Sequence, residues 1–186
     1  MDKLFSLLAL TPSPYTEQIN TKLLHLLYAN FFKSTFIIIA VALLLTYVLW
    51  PSVGHDTLLL WFLGITILTL FRFIDTLVYF KDPSRHDYRS WHQHITLGVI
   101  LSALLWSAVP FLFLSNTDIG TNFFIATVMI GMGSGAITTL AADLRLSHVY
   151  LYALFLALIY NFWQFDDLLY TVSTVLIVLY TGDRRT

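Results

Sequence analysis

The chain has 186 residues, of which 58% are hydrophobic and only 11% charged, with a net charge of −1 and a mean hydropathy of +0.75. Soluble domains have about a quarter of their residues charged, so this chain cannot cover its surface with polar groups. The near-neutral charge argues against nucleic acid as a partner, and the lack of cysteine excludes disulfides and thiolate chemistry. We therefore predict an all-α integral membrane protein whose solvent is the lipid bilayer.

The N-terminal segment, residues 1–34, is predicted to be an amphipathic helix at the membrane interface. Ser13 and Pro14 make a good N-cap and first helical turn. One face of this helix is apolar and carries Ile19, Leu23, Leu27 and Phe31. A helix packed into the protein core is the alternative. The short apolar run in residues 1–10 lacks a small-residue cleavage pattern, so it is not predicted to be a signal peptide.

Six transmembrane helices are predicted after this segment, within residues 35–182. A hydrocarbon core about 30 Å thick needs about 17 to 25 apolar residues per helix. This criterion places spans at residues 35–50, 57–74, 95–114, 120–142, 146–163 and 166–182. The helical pattern of the second span continues until Lys81-Asp82-Pro83 ends it. The sixth span is short by the same criterion.

The basic residues predict the orientation, because loops rich in lysine and arginine stay in the cytoplasm. With six spans, all ten basic residues fall on one side: Lys3, Lys22, Lys33, Arg72, Lys81, Arg85, Arg89, Arg145, Arg184 and Arg185. A five-span arrangement would place the last two outside. We therefore predict that both termini are cytoplasmic.

The fourth predicted span contains a run of small residues, Gly131-Met-Gly-Ser-Gly-Ala136. A dinucleotide-binding glycine loop must follow a strand and open a helix, and this run lies in the middle of a span. Glycines four residues apart let a neighbouring helix approach closely. Gly131, Ser134 and Gly135 are therefore predicted to be a helix-packing face, and a homodimer formed through this span is expected.

Arg72 and Asp75 are spaced to meet on one helix face at the cytoplasmic boundary. Such a pair is an interfacial anchor or, alternatively, part of a helix end that relays a signal. No charged residue is predicted to lie deep in a span, which argues against an ion-driven transporter.

Aromatic residues provide the candidate ligand site. Trp50 and Trp163 fit the aromatic belt at the membrane interface, whereas Trp106 and Trp61 lie deeper. Together with Tyr47 these two deeper tryptophans are the candidate ligand-binding residues. The six histidines lie at interfaces or in loops, so no metal or cofactor site is predicted. No nucleophile with a matching base occurs, so no catalytic residue is predicted.

The order of several short motifs resembles the N-terminal membrane modules of bacterial signalling proteins, namely GGDEF/EAL (cyclic-di-GMP) proteins and hybrid sensor histidine kinases. The motifs are Leu26–Asn30, Tyr47–Trp50, Leu70–Arg72, Trp91, Ser102–Trp106 and Gly131–Ala136.

This resemblance implies a sensory module in the bacterial inner membrane that responds to a small or lipophilic ligand or to the state of the membrane. It also implies a cytoplasmic output domain after residue 186, so the full-length protein would carry a diguanylate cyclase, phosphodiesterase or histidine kinase. The alternative is a complete small carrier or channel subunit. A membrane-embedded enzyme would need polar groups that the spans lack.

Overall fold

The computed structural model describes residues 14–165 and 168–182, with side chains for residues 18–165 and 168–178. Within these ranges the fold is entirely helical, as the composition predicts. The α-helices are α1 (Pro14–Leu49), α2 (His55–Lys81), α3 (Tyr88–Phe113), α4 (Ile119–Thr139), α5 (Leu144–Phe162) and α6 (Leu168–Gly182). Short 3-10 turns lie at Pro83–Arg85 and Leu114–Asn116.

Five of these helices, α1 to α5, are long and apolar enough to cross a membrane. Helix α6 has 15 residues, which corresponds to about 22 Å at 1.5 Å per residue. That is less than the thickness of the hydrocarbon core, which is about 30 Å. The apolar part of α6 covers Leu168–Val178. A sixth crossing therefore stays a prediction.

Helix α1 joins the predicted interfacial segment and the first predicted span without a break. It has 36 residues and is thus about 54 Å long, more than a single bilayer crossing requires. Leu24, Leu27, Tyr28 and Phe31 are buried against the other helices. Over these residues the helix packs into the core, which was the alternative to an interfacial helix; residues 1–13 lie outside the described part of the chain.

The helix boundaries follow from capping and from proline. Helix α2 ends at Lys81, as Lys81-Asp82-Pro83 predicts, and Asp82 is no longer helical. Aspartates cap the next three helices, with carboxylates that accept backbone N–H groups of the first turn: Asp87 for α3, Asp118 for α4 and Asp143 for α5. The pKa of the exposed Asp87 carboxyl is lowered mainly by a hydrogen bond from the Ser90 side chain and, to a smaller extent, by one from the Ser90 backbone N–H.

The core lies where α3 and α5 pack together in the middle of the bundle. Helix α1 packs on α2 and on α4, and both α4 and α6 pack on α5. Trp106 is fully buried there, whereas apolar residues such as Ile67 and Leu156 are exposed on the outside. Consecutive helices alternate in direction, so the basic residues of the described chain gather at one end of the bundle. They are Lys22, Lys33, Arg72, Lys81, Arg85, Arg89 and Arg145. We call this end the basic end.

Candidate functional site

Arg72 of α2 lies against two neighbouring helices of the bundle. It precedes the last residue of α2 by nine positions, or about 14 Å along the helix. Its side chain is partly buried, and its guanidinium carbon lies 4.2 Å from the centre of the Phe31 ring on α1. On the other side it crosses Gly98 of α3, where an added Cβ would approach its Cγ and Cδ to 3.2 Å. The Arg72 side chain therefore lies between α1 and α3.

The predicted pairing of Arg72 with Asp75 is not formed. Among the described residues, the Arg72 guanidinium makes no hydrogen bond and no ion pair within 4.0 Å. An arginine is always protonated in proteins, and a cation in apolar surroundings normally has a partner. The stacking on Phe31 satisfies only one face of the guanidinium. Its hydrogen-bond donors remain available to a ligand.

The Arg72 side chain borders a cavity of about 410 Å³, which we call the Arg72 groove. Helices α1 and α4 form its walls, and α2, α3 and α5 contribute to its floor. Its lining residues are Phe31, Ser34, Ile37, Ile38, Val41, Leu44, Arg72, Val99, Ser102, Val128, Gly131, Met132, Gly135, Ala136, Thr138, Thr139, Leu140 and Tyr150. The groove is therefore mostly apolar, with one cation and a few hydroxyl groups, and its volume is typical of ligand pockets, which are about 300 to 1,000 Å³.

The rim of the Arg72 groove faces outward between α1 and α4. Ile37 is 62% exposed and Leu44 is 50% exposed, so the mouth is apolar and suited to contact with lipid. Toward the basic end, Asn30 Nδ2 donates a hydrogen bond to the backbone oxygen of Thr139 at 3.3 Å and joins the two walls. Inside, Tyr150 and Ser102 contribute hydroxyl groups to the lining.

Asp75 has a different role from the predicted one, because it links three helices. The Tyr28 hydroxyl of α1 donates to Asp75 Oδ2 at 3.0 Å, and His94 Nδ1 of α3 lies 2.9 Å from Asp75 Oδ1. The Tyr28 ring also stacks on Tyr79 with ring centres 4.0 Å apart. One turn of α2 therefore carries both Arg72, which borders the groove, and Asp75, which holds α1 and α3 together.

A second polar link joins α3 to the turn before α5. His92 Nε2 lies 2.8 Å from Asp143 Oδ2, and Asp143 also caps α5 through the N–H groups of Arg145 and Leu146. His92 and His94 thus point to different neighbours, as their spacing on a helix predicts. No group of three or more metal-ligating side chains occurs in the described part of the chain.

The predicted aromatic ligand site is only partly assembled. Trp61 and Trp106 are in contact, with perpendicular rings whose centres are 5.5 Å apart, and both are buried. Tyr47 is 79% exposed and lies away from this pair. The Trp106 indole N–H has no hydrogen-bond partner among the described residues. Because none of the three lines the Arg72 groove, the two buried tryptophans are better described as core packing.

The predicted small-residue face also borders the groove. A Cβ added at Gly131 or Gly135 would meet nothing within 4 Å, so none of the described helices packs closely there. The close approach occurs at Gly133, two residues from each of these glycines, where a Cβ would lie 3.0 Å from Phe155 and 3.1 Å from Leu151 of α5. Gly131, Ser134 and Gly135 are exposed.

A smaller cavity of about 330 Å³ lies among α4, α5 and α6. Its lining is Phe123, Ala126, Thr127, Ile130, Phe155, Phe162, Ser173, Leu176 and Ile177. None of these side chains is charged, and the hydroxyl groups of Thr127 and Ser173 donate to backbone oxygens of their own helices.

Replacing Asp75 by asparagine is expected to destabilise the basic end by about 1 to 3 kcal/mol, because hydrogen bonds to charged groups contribute about that much. Asparagine has the same shape but loses the charge that His94 and Tyr28 contact. The free energy of unfolding in mild detergent measures the effect, with Asp56→Asn at an exposed site as the matched control. Equal stability of the two variants would contradict a linking role for Asp75.

The five long apolar helices indicate a multi-pass membrane protein, and the groove between α1 and α4 is mostly apolar. Comparison with protein-family models, curated proteins and solved structures finds no match.

Proposed function

We propose that this chain is the membrane-embedded sensory domain of a bacterial signalling protein, either a cyclic-di-GMP enzyme or a hybrid histidine kinase. In this proposal it lies in the inner membrane with both termini in the cytoplasm. It senses a small or lipophilic ligand, or a membrane cue, and relays that signal to an output domain after residue 186. The observation that supports it best is the Arg72 groove, where side chains of five helices meet around one unpaired cation.

The contacts around the groove offer a route for the signal. A ligand that binds two helix arrangements unequally shifts their populations. Tyr150 of α5 lines the groove. Helix α5 in turn packs on α6 through Phe162 and Tyr170, whose ring centres are 5.0 Å apart. Asp75 and Asp143 link the helices at the basic end. A change in the groove would thus reach α6, the last helix before the proposed output domain.

Dimerisation through α4 is part of the proposal, since it would suit either type of output. The open face at Gly131 and Gly135 has room for a helix of a second copy, so a second copy and a bound ligand would be alternative occupants of this face. The clustering of the described basic residues at one end supports the cytoplasmic orientation of that end.

The mass of the native product tests the central claim. An antibody raised against residues 1–30 is used to detect the product in membranes of its own host, beside the 186-residue chain produced separately as a size marker. We expect a product much heavier than the 21.3 kDa of this chain. A product that co-migrates with the marker would contradict an appended output domain and would favour the small carrier or channel subunit.

A further inference from the structure

We infer that the Arg72 groove binds a long-chain carboxylate, that is, a fatty-acid anion that enters from the surrounding leaflet between α1 and α4. The inference deepens the proposed function by naming its ligand class, and it rests on that function only for its biological meaning. Binding itself is a property of this chain.

The head-group site follows from the state of Arg72. Its guanidinium is a planar fork of hydrogen-bond donors that matches a carboxylate with two parallel bonds. No side chain among the described residues occupies those donors, and Phe31 holds the group in place by stacking. Gly98 leaves the space that the Arg72 side chain crosses, since even one added carbon there would crowd it at 3.2 Å. One cation calls for one negative charge, which a carboxylate supplies.

The tail site follows from the walls of the groove. From Phe31 to Leu44, α1 lines the cavity over 13 positions, or about 20 Å along its axis. Apart from Ser34, the α1 side chains that line this stretch are apolar: Phe31, Ile37, Ile38, Val41 and Leu44. On the opposite wall, Gly131 and Gly135 have no side chains and leave the groove open. A long, mostly apolar groove with a cation near one end fits a single acyl chain.

The lateral opening explains how such a ligand would arrive. The outward-facing rim residues Ile37 and Leu44 are exposed and apolar, so an acyl chain can move from lipid into the groove without crossing water. Arg72 lies toward the basic end of α2, where the anionic head of a leaflet amphiphile would be found. The position of the Arg72 charge and the shape of the groove thus indicate the same orientation of the ligand.

Equilibrium binding to the full 186-residue chain in zwitterionic phosphatidylcholine nanodiscs provides the test. Radiolabelled hexadecanoate is the probe, and unlabelled hexadecanol, acetate and phosphatidylglycerol are the competitors. We expect saturable binding of one hexadecanoate per chain, with hexadecanol and acetate each weaker by about tenfold or more, because each lacks either the charge or the tail. Equal competition by hexadecanol would overturn the role of Arg72.

Two variants locate the site. Arg72→Gln should weaken hexadecanoate binding by about tenfold or more, whereas Lys81→Gln, at the exposed end of the same helix, should leave it unchanged. Gly135→Leu should block the tail site while retaining the arginine, and Thr127→Leu on the same helix, outside this groove, is its control. If Arg72→Gln does not fold, the Gly135→Leu pair decides the question.

The remaining outcomes separate this inference from its alternatives. Effective competition by phosphatidylglycerol would overturn the fatty-acid assignment in favour of a phospholipid head group. Loss of dimers with full retention of hexadecanoate binding in Gly135→Leu would overturn the groove as ligand site and assign it to a second copy. Hexadecanoate binding together with a native product of 21.3 kDa would contradict the sensory role but leave the ligand site intact.

Discussion

Replacing Gly133 by leucine is expected to destabilise the protein by about 1 to 3 kcal/mol relative to the same change at Gly131, because overpacking a tight contact costs about that much. A Cβ at Gly133 already lies 3.0 Å from Phe155 and 3.1 Å from Leu151, so the larger side chain must push α5 away from α4. At Gly131 a Cβ meets nothing within 4 Å. Both changes gain the same helix propensity, so the comparison isolates packing.

The two variants are unfolded in mild detergent while circular dichroism monitors their helix content. The measurement gives the difference in their free energies of unfolding. Gly133→Ala adds an intermediate point, since its single methyl group tests the contact with the least volume. If Gly133→Leu and Gly131→Leu were equally stable, the close approach of α4 and α5 at Gly133 would be wrong.

Helix positions were largely predictable because hydropathy and helix-stop residues are local signals. The break at Lys81-Asp82-Pro83 is an example, since proline cannot continue the helix and the structure ends α2 at Lys81. The continuity of α1 was not predictable in the same way. Polar residues such as Glu17 and Lys22 indicated an interfacial segment, but nothing in the local sequence requires a break before residue 35. In the structure Tyr28 stacks on Tyr79 of α2, and the helix continues without interruption.

The candidate site was less predictable, because it depends on which way side chains turn after the helices pack. The spacing of Arg72 and Asp75 allowed an ion pair on one face, yet each residue has partners from other helices that sequence spacing cannot reveal. For the same reason the sequence did not reveal that the Arg72 side chain would lie between Phe31 of α1 and Gly98 of α3.

The small-residue run shows the same limit. Its spacing predicted a packing face at Gly131, Ser134 and Gly135, but among the described residues the close helix approach is at Gly133, which only the packing of α5 selects. Of the three residues predicted to bind a ligand, Trp61 and Trp106 are in contact with each other. Tyr47 was grouped with them by depth alone, and the rotation of α1 turns it outward.

Replacing Trp91 by alanine is expected to cost about 3 to 5 kcal/mol, the range for truncating a buried large aromatic residue. Trp91 is almost fully buried in the first turn of α3, and its ring packs edge-on against Tyr28 and Tyr79. Its indole N–H donates to the backbone oxygen of Pro83 at 3.0 Å, which ties the loop after α2 to α3. Alanine removes all of these contacts together.

The matched control is Trp163→Ala, because Trp163 is 78% exposed and follows the last turn of α5. We expect that variant to unfold at nearly the original free energy in mild detergent. The loss in Trp91→Ala should be largest at the basic end, so hydrogen exchange is expected to increase first in the N-terminal half of α1 and the last turns of α2. Comparable stability of the two variants would contradict the assignment of Trp91 as the packing centre of that end, since burial is the property in which the two tryptophans differ most.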